Sequence, residues 1–189
     1  PSPARVSRVG FLPPRGAVCF PAGPDCIEFE ALREEGKLLS VFVCLPGDLF
    51  ETYPQVARLL STFALDTMMK KLTGRQRPVM FILDELAQLG HLPIVQRAFT
   101  LGAGYGVQVW AVFQSIEQAK KLYPLDSLYG SSGLRCFFNL ADPESVEFAS
   151  KCASGVLTPA DVRRLGPLEM LTLLDGQNPL IVQRLGARS

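Results

Sequence analysis

Apolar runs and helical stretches alternate along most of this chain. Four mainly apolar runs occupy residues 38–46, 78–85, 107–115 and 134–142, and the first of them is uninterrupted and rich in β-branched and aromatic residues. An uninterrupted apolar run of this length is typical of a strand that is covered on both sides. We therefore predict four buried strands whose apolar side chains, Trp110 among them, belong to the core.

Each run is followed by a stretch with the period of an amphipathic helix. The longest, residues 53–74, places Val56, Leu60 and Met68 on one side and ends at Gly74, a favoured C-cap residue. Shorter helical stretches cover residues 92–104, 115–124 and 143–154. Because strands that alternate with helices form parallel sheets, we predict an α/β fold with a mostly parallel sheet flanked by helices.

The two ends of the chain follow other patterns. The first sixteen residues contain four prolines and two glycines, which favours extended or loop-like structure, and residues 17–20 could form a short strand. Near the other end, residues 158–165 predict a capped short helix and residues 169–185 a β-hairpin that turns at residues 175–179. We expect residues 1–26 to be a loop-rich leading segment and residues 27–189 to form one partial domain.

Composition and charge narrow the class of protein only slightly. Lysine and arginine number 19 against 18 acids, so the net charge of +1 argues neither for nor against nucleic acid binding. Five cysteines and one histidine lack the spacing of a zinc site, and we expect reduced thiols. No apolar run approaches the ~20 residues of a membrane-spanning helix. The chain begins at a proline, and we expect it to be a piece of a longer protein.

Two adjacent acids, Asp84 and Glu85, end the second apolar run. Binding sites of open α/β sheets lie at the carboxyl ends of the strands, where these acids are expected. An apolar strand that ends in Asp-Glu is typical of nucleoside triphosphatases, in which the first acid helps to hold Mg²⁺ and the second polarises the attacking water. The alternative is a solvated junction between strand and loop, since such a short pattern occurs often.

The surroundings of the acid pair resemble one protein family. In chain order they contain Leu83-Asp84-Glu85, Leu89-Gly90, Gly104-Tyr105-Gly106 and Gln114-Ser115. These elements resemble the type IV secretion coupling proteins, the TraG/TraD-like motors of bacterial conjugation. The segment "NLADPESVEFASKCASG" is similar to a D-x-x-T/S-A-x-x-x-S segment of that family, and the resemblance covers most of residues 27–185.

The resemblance implies a fold, a chemistry and a set of partners. It implies the carboxyl-terminal part of a RecA-like motor domain, with Asp84 on the Mg²⁺ side through water, Glu85 as catalytic base and Gln114 as γ-phosphate sensor. Its cofactors would be ATP and Mg²⁺ in the full-length parent. The parent would be a homo-oligomer, a hexameric ring, that works with secretion-channel and relaxosome proteins at the cytoplasmic face of a bacterial inner membrane and moves DNA or protein. In the family, membrane contact is made by N-terminal helices that this sequence lacks.

One departure from the family pattern concerns the phosphate loop. No G-x-x-x-x-G-K-[ST] sequence occurs in the 189 residues; the nearest stretch, "ALREEGKLLS", has Ala31 for the first glycine and Leu38 for the hydroxyl residue. The phosphate-loop strand is therefore absent, and we predict neither a bound cofactor nor ATP hydrolysis for this chain alone. We expect the gap that the missing strand leaves to be closed in one of three ways: by direct pairing of the strands at residues 79–83 and 107–113, by residues 16–20, or by a second chain.

A second departure concerns the arginine that acts across a subunit boundary. Many relatives have a basic residue just before the Gly-Tyr-Gly turn, where this chain has Ala103. Arg97, on the helix that leads to the turn, and Arg135, at the start of the next strand, are the candidates for the role. We favour Arg97; the alternative is that it is an exposed helix arginine.

Other functions remain open at this stage. The chain could be a non-catalytic remnant or interaction module that binds secretion-channel or relaxosome partners. An α/β enzyme unrelated to nucleotides has no nucleophile elbow or metal cluster in its favour. DNA contact is a further alternative. It could be made by stacking on Tyr105 or on Trp110, although Trp110 lies in mid-strand and should be buried. It could also be made by scattered arginines that more often form a solvated face, namely Arg163, Arg164, Arg184 and Arg188.

Overall fold

A computed structural model describes residues 5–9, 29–34, 39–43, 47–70 and 77–183 of the chain. The chain divides into two compact units, the first formed by Pro1–Leu83 with Leu92–Ala111 and the second by Asp84–His91 with Val112–Ser189. Gly74, Arg184, Arg188 and the strand considered at residues 17–20 lie outside the described residues. No described helix has the length and apolar character needed to cross a bilayer.

The first unit contains two parallel strand pairs. Strand β1, Arg5–Val9, pairs in parallel with β2, Leu39–Val43. Strand β3, Val79–Leu83, pairs in parallel with β4, Val107–Ala111, in a register that runs from Val79 opposite Val107 to Leu83 opposite Ala111. The two strands therefore pair directly, which is one of the three arrangements that the sequence left open. The structure also shows that the leading segment, expected to be loop-rich, contains a strand.

Helices of the first unit begin where the sequence provides a start signal. Helices α1, Gly47–Thr52, and α2, Pro54–Met68, precede β3, and α3, Pro93–Leu101, follows it. A proline occupies the first turn of both α2 and α3, where its missing N–H costs no hydrogen bond. Two 3-10 helices, Phe29–Arg33 and Gly102–Tyr105, complete this unit. The α2 helix packs against α3, and the core includes Leu65, Met68 and Val95, each at most 1% exposed.

One face of the β3–β4 pair contradicts the prediction of fully buried strands. Val79, Leu83 and Val107 are buried, whereas Met80, Ile82 and Trp110 on the opposite face are 51%, 63% and 51% exposed. The prediction that Trp110 is buried is therefore wrong. Side chains alternate along a strand, and in the described part of the chain only one face of this pair is covered.

The second unit combines four helices with a three-stranded antiparallel sheet. Its helices are α4, Ile116–Leu122; α5, Leu125–Ser131; α6, Pro143–Cys152; and α7, Pro159–Arg163. Its strands are β5, Leu134–Phe137; β6, Glu169–Leu174; and β7, Leu180–Gln183. The β6–β7 hairpin confirms the C-terminal prediction, but β5 pairs antiparallel with β6 instead of extending a parallel sheet. The 3-10 helix Leu86–Leu89 also belongs to this unit.

The core of the second unit lies between the helices and the antiparallel sheet. It is formed by small and branched side chains of α6, α7 and β6, namely Val146, Ala149, Ala153, Val162, Leu171 and Leu173. Cys136 and Cys152 are free thiols, and burial raises the pKa of both. The parallel strand pairs, their helices and the C-terminal hairpin together confirm the predicted α/β fold class.

Candidate functional site

The two acids lie in the turn that directly follows β3. Glu85 has the left-handed backbone conformation, with φ 48° and ψ 45°, and its amide donates to Oδ1 of Asp84 at 3.1 Å. Left-handed geometry is uncommon for a residue other than glycine, and it is found often at functional sites. Both side chains are exposed, so their carboxylates face solvent where a ligand could reach them.

Gln114 lies three residues beyond the end of β4 and reaches Glu85. Its Nε2 donates to Oε1 of Glu85 at 3.1 Å, although 29 positions separate the two residues. A backbone hydrogen bond of 3.1 Å from the amide of Leu86 to the carbonyl of Val112 joins the same two segments. The structure thus brings together two of the three site residues that the sequence predicted, with Asp84 adjacent in the chain.

Two further glutamines, which the sequence analysis did not single out, belong to this cluster. The Nε2 of Gln88 donates to Oε2 of Glu85. Gln118 accepts a hydrogen bond from the backbone amide of Gln114 at 3.1 Å, and its own Nε2 lies 3.5 Å from Oε1 of Gln114. Glutamines at short spacing on turns and helices carry no sequence signal that distinguishes them from ordinary surface residues.

The segment that carries Gln114 is held by helix caps and by α6. Ser115 caps α4 by accepting from the amide of Gln118 at 3.3 Å, and the amide of Ile116 donates to Oγ of Ser145 at 3.0 Å. Asp142 caps α6 by accepting from the amide of Ser145 at 2.7 Å. Hydrogen bonds from the Ser145 side chain and backbone lower the pKa of Asp142. Ser145 is only 3% exposed and is the serine of the D-x-x-S pattern noted in the sequence.

An aromatic contact supports the loop after the acids. Tyr123 is 1% exposed, and its hydroxyl donates to the carbonyl of Gly90 at 3.4 Å. Its ring lies 5.2 Å from the ring of His91, whose Nδ1 is 3.4 Å from the carbonyl of Leu122. These contacts give His91 a packing role at the end of the loop.

The carboxylate of Asp84 suits a hard cation whose remaining coordination positions are filled by other ligands. Its carboxylate is exposed, with one oxygen engaged by a backbone amide. Among the described residues, no group of three or more His, Cys, Asp or Glu side chains could hold a metal ion. Mg²⁺ usually keeps several waters and binds through one or two carboxylates and the phosphates of its substrate. Asp84 therefore fits Mg²⁺ as a single protein ligand.

The two candidate arginines have different surroundings. Arg97 is exposed on α3, and the described residues provide no ion pair for its guanidinium. Arg135 forms an ion pair with Asp175, donates to the carbonyl of Ser132 at 2.7 Å and stacks over the Tyr129 ring at 4.0 Å. Its side chain is 15% exposed, which gives Arg135 a structural role between β5 and the turn after β6.

The turn before β4 depends on glycines and on a buried arginine of the first unit. A Cβ at Gly102 would lie 2.9 Å from the carbonyl oxygen of Val107, and Gly106 has φ 63°. Arg33, 8% exposed, donates to the carbonyl of Tyr105 at 2.6 Å and to that of Met68 at 2.7 Å. Burial lowers the pKa of the Arg33 guanidinium. The sequence does not indicate the role of Arg33, because one charged residue in a polar stretch gives no sign of burial.

The described part of the second unit contains a polar cavity of about 190 Å³, between α6 and the turn after β6. Tyr129, Arg135, Cys152 and Asp175 line it, and Asp84, Glu85 and Gln114 do not. Arg163 and Arg164, considered for DNA contact, are exposed, and Arg164 lies 3.9 Å from Asp161. The acids and glutamines are therefore an open cluster and not a closed pocket.

Comparisons with known proteins show the family to which this α/β domain, with its exposed Asp-Glu pair after β3, belongs. Residues 28–153 match the model of the family described as Type IV secretory system Conjugative DNA transfer. The match covers more than half of the chain, and the chain belongs to this family. The resemblance found in the sequence is confirmed.

Curated relatives carry conjugation and secretion names. The conjugal transfer protein TraG of Agrobacterium fabrum is 27% identical over 131 residues, which is 67% of this chain and 20% of that protein. The type IV secretion system-coupling protein VirD4 of Bartonella henselae is 30% identical over 113 residues, which is 60% of this chain and 16% of that protein. The aligned region thus spans a fifth or less of these relatives.

A solved structure has the same fold. The plasmid coupling protein TrwB, in complex with ADP and Mg²⁺, superposes with a TM-score of 0.69 at 18% sequence identity. The superposition covers 84% of this chain and 43% of the TrwB chain. At this identity the likeness establishes the fold alone, and it confirms the RecA-like expectation.

Proposed function

We propose that this chain is part of an ATP-driven coupling motor that recruits DNA or protein substrates and moves them into a type IV secretion or conjugation channel. Family membership supports the role in DNA transfer. The hydrogen bond between Gln114 and Glu85 is the observation that carries the motor assignment, because it joins the strand-end acid to the strand-end amide.

Three side chains have separate roles at the site. Asp84 would hold Mg²⁺ through water, and the bound ion would neutralise charge on the ATP phosphates. Glu85 is the general base that accepts a proton from the attacking water. Gln114, an uncharged amide, can donate to phosphate or water without changing the charge of the site, and it therefore senses whether the γ-phosphate is present.

The phosphate loop comes from another part of a longer polypeptide. Backbone amides and a lysine in such a loop hold the triphosphate, and none of the 189 residues provides that motif. Without them the carboxylates of Asp84 and Glu85 repel phosphate, so the chain alone binds ATP weakly and does not hydrolyse it. Calorimetry that gives micromolar ATP affinity for the 189-residue chain would refute this part of the proposal.

We assign the arginine that acts across the subunit boundary to Arg97. Its exposure on α3 leaves its guanidinium available, whereas Arg135 is occupied by Asp175, Ser132 and Tyr129. In the assembled parent, Arg97→Ala should abolish most turnover with ATP affinity and oligomer size retained. Arg135→Ala should instead lower stability. Unchanged turnover in Arg97→Ala would show the assignment to be wrong.

The assembly and its surroundings follow from the family. We propose a homo-oligomeric parent, a hexameric ring, at the cytoplasmic face of a bacterial inner membrane, in contact with secretion-channel and relaxosome proteins. VirD4 of Bartonella henselae is named a coupling protein of a type IV secretion system, which supports such partners. Mass measurement of the purified parent tests the oligomer size.

The test of the catalytic assignment is a comparison of acid variants in the parent. Glu85→Gln should lower ATP turnover by about 100-fold or more, the usual contribution of a general base, with nucleotide binding retained. Asp84→Asn should weaken the Mg²⁺ dependence of binding. Glu147→Gln, an exposed position on α6, is the matched control. Wild-type turnover in Glu85→Gln would refute the assignment.

A non-catalytic interaction module is the second candidate. The exposed apolar face formed by Met80, Ile82 and Trp110 favours it, because large apolar side chains at a surface are typical of contact sites. Under this alternative Glu85→Gln has no effect on substrate transfer, whereas Trp110→Ala abolishes it. Under the motor proposal, loss of Glu85 stops transfer.

A further inference from the structure

Both carboxylate oxygens of Glu85 have a side-chain amide as a hydrogen-bond donor. Oε1 accepts from Nε2 of Gln114 at 3.1 Å, and Oε2 accepts from Nε2 of Gln88. The two donors come from different segments, one from the turn after β3 and one from the residues after β4. A long, exposed glutamate is thereby restrained from both sides.

The orientation of the Gln114 amide is itself determined by a neighbour. A glutamine amide has one donor end and one acceptor end. Oε1 of Gln114 faces Nε2 of Gln118 at 3.5 Å, so the donor end of Gln114 is directed to Glu85. Gln118 also accepts from the backbone amide of Gln114 at 3.1 Å, which fixes the position of the residue as well as its amide plane.

The outer two glutamines are attached to regular structure. The backbone amide of Gln88 donates to the carbonyl of Glu85 at 2.9 Å within the 3-10 turn. Gln118 lies in the first turn of α4, and its amide donates to the capping Oγ of Ser115 at 3.3 Å. Side chains on such elements hold a partner more precisely than side chains on free loops.

We propose that Gln88 and Gln118 are positioning residues for the catalytic base, an inference that rests on the proposed function. Together with Gln114 they form what we call the glutamine clamp. A base must lie within hydrogen-bond reach of the water it deprotonates, and an unrestrained glutamate samples many rotamers. An ionised carboxylate has about four lone-pair sites, so two amide donors leave room for the water.

The first experiment tests the clamp in the 189-residue chain without nucleotide. In NMR spectra of the ¹⁵N-labelled chain, Glu85→Ala should shift the side-chain amide signals of Gln88 and Gln114. Gln118→Ala should shift the side-chain signal of Gln114. Gln108, exposed on β4, provides the control signal, which should not move. Unchanged Gln88 and Gln114 signals in Glu85→Ala would overturn the clamp.

The second experiment tests positioning in the full-length parent. Gln88→Ala and Gln118→Ala should each lower kcat by about tenfold, a part of the roughly 100-fold or more that a general base contributes. KM for ATP should stay within about twofold, since neither glutamine is assigned to nucleotide binding. Gln108→Ala is the matched control and should leave both constants unchanged.

The outcomes of the two experiments distinguish a failure of the clamp proposal from a failure of the proposed function. A parent with no ATPase activity refutes the proposed function, while the NMR result still decides whether the clamp exists. Shifted NMR signals with wild-type kcat in both variants would overturn the positioning role. A rise in KM without a fall in kcat would also overturn it, because the glutamines would then act on binding.

Discussion

Replacement of Ser145 by alanine tests how the segment that carries Gln114 is held. The Ser145 hydroxyl accepts from the backbone amide of Ile116 at 3.0 Å, and its backbone amide donates to the carboxylate that caps α6. The change removes one oxygen atom from a site that is 3% exposed. It creates almost no cavity, so the effect is dominated by the lost hydrogen bonds of the hydroxyl, which are those with the Ile116 amide and with the Asp142 carboxylate.

The magnitude follows from the donor that is left behind. A buried donor without a partner costs about 1–3 kcal/mol. Ile116 is half-buried, so water satisfies part of the lost bond, and we expect the lower half of this range, about 1–2 kcal/mol. The loss should open the start of α4 locally before the whole unit unfolds.

Two measurements on the 189-residue chain check this expectation. Urea unfolding should give a lower midpoint for Ser145→Ala at unchanged slope. Hydrogen exchange should be faster at the Ile116 amide. Ser131→Ala, exposed at the end of α5, is the control and should change the free energy of unfolding by less than about 0.5 kcal/mol. An equally small change in Ser145→Ala, with wild-type exchange at Ile116, would refute the reasoning.

Three further predictions concern stability. Asp142→Ala should cost about 1 kcal/mol at neutral pH through the lost helix cap. The folded pKa of Asp142 lies below its ordinary 3.8, so the part of this contribution that depends on the ionised carboxylate is complete above that pH and is lost as the pH falls through the folded value. Gly102→Ala should cost about 1–3 kcal/mol because its Cβ meets a backbone oxygen, whereas Gly104→Ala enters open space and should be tolerated. Arg33→Leu should cost about 2–4 kcal/mol because two carbonyls lose their charged donor.

Denaturant titrations decide each of these predictions. A stability difference for Asp142→Ala that persists undiminished in strong acid would contradict the contribution of the ionised carboxylate to the cap. Equal unfolding midpoints for the two glycine variants would show that the turn adjusts without cost. An Arg33→Leu chain as stable as the wild type would mean that relief of guanidinium desolvation offsets the lost hydrogen bonds.

The sequence by itself determined strand β3 and the two acids that follow it. Local apolar runs and a turn signal suffice to place β3, Asp84 and Glu85, because strand formation and chain direction depend on neighbouring residues. The same reasoning places Gln114 after β4, and parallel pairing of β3 with β4 brings the carboxyl ends of both strands to one edge. The sequence thus placed Gln114 and Glu85 at strand ends, and the hydrogen bond between them is a finding of the structure.

Only the tertiary structure decided which residues are buried and how the strands other than β3 and β4 pair. The apolar neighbours of Trp110 in the sequence predict a core residue. Trp110 is nevertheless half-exposed, because one face of its strand pair is uncovered in the described residues. A single arginine in a polar stretch is expected at the surface. Arg33 is nevertheless buried, because carbonyls that are distant in the sequence accept its hydrogen bonds. Likewise β5 pairs antiparallel with β6, which follows it by more than thirty residues. Burial and long-range pairing depend on contacts between segments that are distant in the sequence, and a local pattern does not contain them.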